Sequence, residues 1–174
     1  MRPLLAACLS ATLLVGTAFA PLAQAADCVR PAEHEAFDVT GLKNELMVVA
    51  IACQNTDNYN AFIGQFRSTL QSEERSLTNY FNRTSHRPQQ AHDDYITSLA
   101  NAQSQESLKR GTLFCTENTG LYSAVRDLKS ARELVSYASG KHFVQPIDVV
   151  DCPAPAPKAA PKVKPKKTTT ANNN

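Results

Sequence analysis

Apolar residues recur at every third or fourth position through most of the chain, the period of an α-helix packed on one side. The first such run is Leu42, Leu46, Val49, Ala50 and Cys53; it follows Gly41, with Thr40 placed to cap the first amides, so a helix is predicted from Gly41. Met47, Val48 and Ile51 widen its apolar face, as expected of a central helix covered on most sides. The polar turn-formers from Gln54 to Asn58 end it. In the predicted second helix, Tyr59, Phe62, Ile63, Phe66, Leu70, Leu77, Tyr80 and Phe81 make one continuous stripe, opposite Arg67, Gln71, Glu74 and Arg75.

The segment from Asn82 to Gln90 carries Thr84, Ser85 and Pro88 and reads as a connector. A third helix is expected from about Ala91, presenting Tyr95, Ile96, Leu99, Ala100 and Ala102 and passing through the polar Gln103, Ser104 and Gln105 to Leu108. Gly111 is a stop or kink before Leu113, Phe114 and Cys115. A fourth helical region runs from Leu121 to Ser139, with Leu121, Ala124, Val125, Leu128, Leu134, Val135 and Ala138 inward and Lys129 and Glu133 able to pair outside. Ahead of these, Asp27 to Val39 has mixed polarity and Pro31, and is expected as irregular chain or a short helix. Strand patterns are confined to Phe143, Val144 and the Ile147 to Val150 stretch, and Pro146 weakens them. The fold class this implies is all-α: a small disulfide-stabilised helical bundle with a disordered C-terminal tail.

The two ends of the chain are of a different kind. Residues 1–25 have the form of a signal peptide: Arg2, an apolar run from Leu4 to Ala20, Pro21, then Ala23 and Ala25 at the small-residue positions before a cleavage site ahead of Ala26. A spanning helix is the competing reading, but Ser10, Thr12, Gly16 and Thr17 interrupt the run, which falls short of the ~20 apolar residues a bilayer core requires. Leu5 to Cys8 spells a lipoprotein box, yet too little apolar chain precedes Cys8 for it to serve as one. With no other stretch apolar enough to span, the mature form is expected to have no transmembrane segment.

Export changes how the cysteines read. Cys28, Cys53, Cys115 and Cys152 remain in the domain of residues 26–152, an even number in a compartment that permits oxidation. Three pairings are open from sequence. Cys53 and Cys115 belong to apolar segments and Cys28 and Cys152 bracket the domain, so Cys53–Cys115 and Cys28–Cys152 are expected. Neither a C-x-x-C pair nor a cysteine near a histidine supplies metal-ligand spacing, and neither metal nor cofactor is expected.

The near-neutral total charge conceals a division. Between Asp27 and Cys152 there are 12 Lys and Arg against 16 Asp and Glu, whereas residues 153–174 carry Lys158, Lys162, Lys164, Lys166 and Lys167 and no acid. An acidic domain gives no reason to expect nucleic-acid binding. Pro153, Pro155, Pro157, Pro161 and Pro165 favour an extended, solvated spacer, and its lysines could rest on an anionic envelope component. A solubilising tail without a specific partner is the blander expectation.

One polar constellation invites a chemical reading: His92, Asp93 and Asp94, with Asn101 and Gln105 further along the third helix. Asp94, Asn101 and Gln105 share one side at helical spacing and His92 does not, so His92, Asp94, Asn101 and Gln105 form a candidate polar site. The structural explanation is stronger, because carboxylates in a first helical turn are favoured by the helix dipole. No Gly-x-Ser-x-Gly, His-Glu-x-x-His or phosphate-binding glycine loop is present, and no catalytic residue is assigned.

Cys53, then Tyr59, Asn60, Ala61 and Phe62, then Tyr80 and Phe81, the run from His92 to Asn101, and Phe114 and Cys115 together resemble a family of secreted, cysteine-containing helical proteins of alphaproteobacteria. The resemblance spans roughly Leu42 to Leu128. It implies an exported helical domain from a bacterium, periplasmic or secreted, and transfers no catalytic residues, because the family has no established activity. Two functions follow as expectations. One is a non-enzymatic envelope protein, a binding, scaffold or chaperone-like module. The other is a small secreted hydrolase acting on an envelope polymer such as peptidoglycan, which a cleft with two convergent carboxylates, one of raised pKa, would favour.

Overall fold

The computed structural model describes residues 28–153, which fold as six helices: α1 (Pro31–Ala52), α2 (Thr56–Gln65), α3 (Arg67–Thr84), α4 (Pro88–Arg110), α5 (Leu113–Asp127) and α6 (Ala131–Ser139). The signal-peptide segment of residues 1–25 and the tail lysines Lys158, Lys162, Lys164, Lys166 and Lys167 lie outside the described residues. Within them there is no strand, only an isolated parallel bridge between Val29 and Asp151. The all-α class and both expected disulfides, Cys28–Cys152 and Cys53–Cys115, are present.

Helix α1 starts ten residues before Gly41. Pro31 occupies the first turn, where its missing N–H costs nothing, and Glu33 reaches back to accept the Arg30 N–H at 2.8 Å. Thr40 is therefore not a cap but a buried residue in mid-helix, and Gly41 lies beside it. The mixed polarity that suggested irregular chain has a specific use. Glu33, only 5 % exposed, pairs with Arg83 at 2.5 Å, and Arg83 also donates to the Cys28 carbonyl at 2.7 Å. A buried carboxylate needs such a partner, and here it joins the start of α1 to the end of α3.

Helix α1 runs through the middle of the bundle and touches each of the other five helices. Its first half packs Ala36 and Phe37 against Leu77, Tyr80, Phe81, Tyr95 and Leu99 of α3 and α4. Phe37 meets the Tyr80 and Tyr95 rings edge-on at 5.0 and 5.1 Å. Its second half packs Leu42, Leu46 and Val49 against α2, α5 and α6 through Phe62, Phe66, Phe114, Val125 and Leu134. Contact with both clusters covers α1 on more than one side, so its apolar positions are not confined to one stripe.

The expected second helix is two. The chain bends at Phe66 (φ −109°, ψ 19°) while backbone bonds continue through it, Phe66 N–H to Phe62 and Leu70 N–H to Phe66. The bend sends Phe62 and Phe66 into one cluster and Leu77, Tyr80 and Phe81 into the other. The connector after α3 is shorter than expected, Ser85 to Arg87, because Pro88 begins α4. The fourth region also divides. Helix α5 already begins at Leu113, and Leu128 to Ser130 separate it from α6, whose first turn is capped by the Ser130 side chain accepting from Glu133 N–H at 3.2 Å. Lys129 consequently lies before the helix, and its contact with Glu133 runs from its backbone N–H at 2.7 Å.

Beyond α6 the chain returns over α1 without regular structure. Gln145 donates to the Phe37 carbonyl at 3.3 Å and accepts from the Tyr95 hydroxyl at 2.9 Å. Backbone bonds flank the bridge, Val29 N–H donating to the Val150 carbonyl and Cys152 N–H to the Val29 carbonyl, both at 2.8 Å. The Cys28–Cys152 disulfide fastens the same point. No helix among the described residues is long and apolar enough to cross a membrane. With two disulfides, the domain is compatible with an extracytoplasmic location.

Candidate functional site

A groove of about 640 Å³ opens between α1, α2 and α3, with α4 contributing Ile96. Its lining follows helical spacing on each wall: Lys43, Asn44 and Met47 on α1, Tyr59 and Ile63 on α2, and Arg67, Leu70, Gln71, Glu74 and Arg75 on α3. Phe62 and Phe66 are buried in the core beside it, so their half-buried neighbours Tyr59, Ile63 and Leu70 are left as the groove's surface. Met47, Ile63, Leu70 and Ile96 supply apolar surface, and charged groups supply the rim. This division of an apolar lining and a few polar groups is usual in small-molecule sites of this size.

The rim is unevenly balanced. Glu74 lies 3.7 Å from Lys43 and 2.6 Å from the His92 ring. Arg67 and Arg75 have no ion pair among the described residues. Burial pushes the Tyr59 phenol pKa up, so the hydroxyl keeps its proton and remains a donor.

Of the four candidate polar residues, His92 alone adjoins this site, and it does so from behind Glu74. Its Nε2 lies close to Glu74 but outside hydrogen-bond alignment, since the same nitrogen has no hydrogen-bond partner among the described residues. Its Nδ1 lies 3.4 Å from Asp93, whose carboxyl pKa is lowered first by a hydrogen bond from Gln89 and then by His92. Asp94, Asn101 and Gln105 are exposed on the outer side of α4 and are not brought together with His92. The inward face of that helix is Tyr95, Leu99, Gln103 and Ser107.

The sequence shows neither the burial of Gln103 nor the groove that Lys43, Arg67 and Arg75 border. Gln103 is fully buried: its oxygen accepts from Asn44 at 2.5 Å and its amide lies 3.2 Å from the Gly41 carbonyl and 3.4 Å from that of Val144. A glutamine four residues after Leu99 was the available signal, since it continues the apolar stripe with a polar residue. Arg67 and Arg75 are exposed, as their place opposite the apolar stripe predicts, and the groove they border depends on the kink at Phe66, which cannot be seen in the period.

Two further cavities carry charge. One of about 830 Å³ is lined by His34, Glu35, Asp38 and Asp151 together with Val29 and Pro153, close to both ends of the described chain. His34 bonds Asp151 at 2.6 Å there, and that bond is the main cause of its raised pKa. The other, of about 370 Å³, gathers Glu45, Glu106, Arg110, Glu117 and His142. Burial raises the Glu45 carboxyl pKa, and Arg110 meets both Glu106 at 3.1 Å and Glu117 at 2.5 Å. Among the described residues no three or more His, Cys, Asp or Glu side chains are arranged so that they could hold a metal ion.

No protein-family model matches this chain, and no curated protein or solved structure matches it. Fold and site therefore define a class only, a disulfide-linked all-α bundle with an amphipathic groove.

Proposed function

We propose that the protein is an exported, non-enzymatic envelope protein, a binding module that holds a small ligand in the groove between α1, α2 and α3. The observation that carries this reading is the groove itself: an apolar lining of Met47, Ile63, Leu70 and Ile96 under a polar rim, in a volume suited to a small molecule. The signal-peptide pattern, the two disulfides and the resemblance to secreted alphaproteobacterial proteins support export to the periplasm or beyond. The lysines of the tail supply a second, electrostatic contact to an anionic envelope component.

The test is to expose the mature protein to envelope extract and identify retained molecules by mass spectrometry, alongside Ile63→Trp and a form ending at Cys152. A small molecule held by the native protein and the truncated form, and lost from Ile63→Trp, is the expected result. Equal retention by Ile63→Trp would remove the groove from the account, and polymer retention that survives loss of the tail would remove the tail contact.

One observation favours the second reading, a hydrolase acting on an envelope polymer. The Glu45 carboxyl, raised by burial, shares a cleft with Glu106 and Glu117 as an acid–base pair would. Against it, Arg110 engages both of those partners, so neither stands free as a base. Release of soluble fragments from peptidoglycan that disappears in Glu45→Gln would establish the hydrolase and displace the binding module.

A further inference from the structure

We infer that the ligand of the groove is a single-chain amphiphile with an anionic head group, a carboxylate or phosphate on an alkyl chain, whose head is met by Arg67. The inference rests on the groove being the ligand site and adds the chemistry it selects. The rim bears Lys43, Arg67 and Arg75 against one carboxylate, Glu74, and Lys43 and the His92 ring already crowd that carboxylate at 3.7 and 2.6 Å. The charge left over is positive. Arg67 and Arg75 are both exposed at the rim, and an anionic head supplies them the counter-charge that a neutral or cationic head does not.

The two arginines are not equivalent. Arg75 follows Glu74 directly, and an anion at that end would meet a carboxylate as well as a cation. Arg67 stands seven residues before Glu74 on α3, about 10 Å along the helix axis, so a head group there meets no competing acid from the rim. The guanidinium fork suits both carboxylate and phosphate oxygens. From that end an alkyl chain has Ile63, Leu70 and Met47 to cover, and every apolar carbon it buries there leaves water.

The experiment is isothermal titration of the full mature chain with three ligands of equal chain length: a straight-chain carboxylate, an alkyl phosphate and the corresponding alcohol. Native protein is run beside Arg67→Gln and Arg75→Gln, with circular dichroism confirming that each variant is folded. Both acids are expected to bind about ten-fold or more tightly than the alcohol, the increment of a hydrogen bond to a charged group. Arg67→Gln should bring the acids to the affinity of the alcohol while leaving the alcohol unchanged, and Arg75→Gln should have the smaller effect. The relative affinity of carboxylate and phosphate identifies which anion is the natural head.

An alcohol that binds as tightly as the acids overturns the head-group inference and leaves the groove reading intact. So does preference for acids that persists in Arg67→Gln, because the cation would then lie elsewhere. Failure of all three ligands to bind overturns the groove reading and this inference with it.

Discussion

Gln145 Nε2 stands 2.9 Å from the point where a Cβ on Gly41 would lie, with Phe143 Cβ at 3.3 Å from the same point. The returning chain thus passes directly over α1 at its one glycine, and close approach is the reason for glycine there. In an exposed helix Gly→Ala would stabilise by roughly 1 kcal/mol. Here the added methyl displaces a side chain that bonds both the Phe37 carbonyl and the Tyr95 hydroxyl. Two hydrogen bonds at about 1 kcal/mol each outweigh the helix propensity, so Gly41→Ala is expected to lower stability by about 1 kcal/mol. A urea midpoint that rises instead would show that the return segment moves aside freely.

Gln103 makes the same contact surface from α4. Replacing it with Leu keeps most of the volume but leaves the buried Asn44 amide without its acceptor and removes the second donor that the Gly41 carbonyl has beyond its helical bond. The expected loss is about 2–3 kcal/mol, read by chemical denaturation. The double variant with Asn44→Leu should recover part of it, because both polar partners are then gone. No recovery would mean that Gln103 acts by shape alone.

Gln54 is the one non-glycine residue with positive φ among the described residues, at 55°. It ends α1 in a left-handed turn, with Asn55 N–H closing back on the Ala50 carbonyl at 2.8 Å. Glycine takes that conformation without strain, so Gln54→Gly should stabilise by about 0.5–1 kcal/mol despite its more flexible unfolded chain. A lower melting temperature would indicate that the Gln54 side chain contributes more than the backbone costs.

The His34–Asp151 bond gives a pH dependence of definite sign. Asp151 holds the His34 pKa above its usual value, so its stabilisation is complete below the unfolded pKa of about 6.5 and disappears as pH rises through the folded value. The difference in melting temperature between native protein and Asp151→Asn should be largest near pH ~5.5 and shrink toward pH ~8. A difference that grows with pH would contradict the assignment. His34 is over a third exposed, so the effect is modest and should weaken in salt.

How much of this was legible in the sequence depends on what each residue answers to. Leu42, Leu46 and Val49, or Tyr95 and Leu99, announce their helices because burial at helical period is what placed them there. The Cys53–Cys115 pairing was readable for the same reason, both thiols lying on apolar segments. The start of α1 was not, because Glu33 is buried by a partner 50 residues away, Arg83, which no local pattern reveals. The bend at Phe66 is tertiary too: the stripe from Tyr59 to Phe81 is unbroken, and only the existence of two clusters packed against α1 divides it. The groove inherits that difficulty. Its lysine, arginines and tyrosine come from three helices whose mutual orientation the bend sets, whereas His92, Asp94, Asn101 and Gln105 stood out by being neighbours on one helix. Three of those four, Asp94, Asn101 and Gln105, are exposed on the outer face of α4.

The central claim is that the groove between α1, α2 and α3 is where this protein binds its ligand. Titrating isotope-labelled mature protein with a straight-chain carboxylate and following backbone amides by NMR tests it directly. The account predicts saturable shifts concentrated at Met47, Ile63, Leu70 and Ile96. Shifts centred instead on His34, Glu35 and Asp38, or on Glu45 and Glu106, would contradict it, as would a spectrum that does not change.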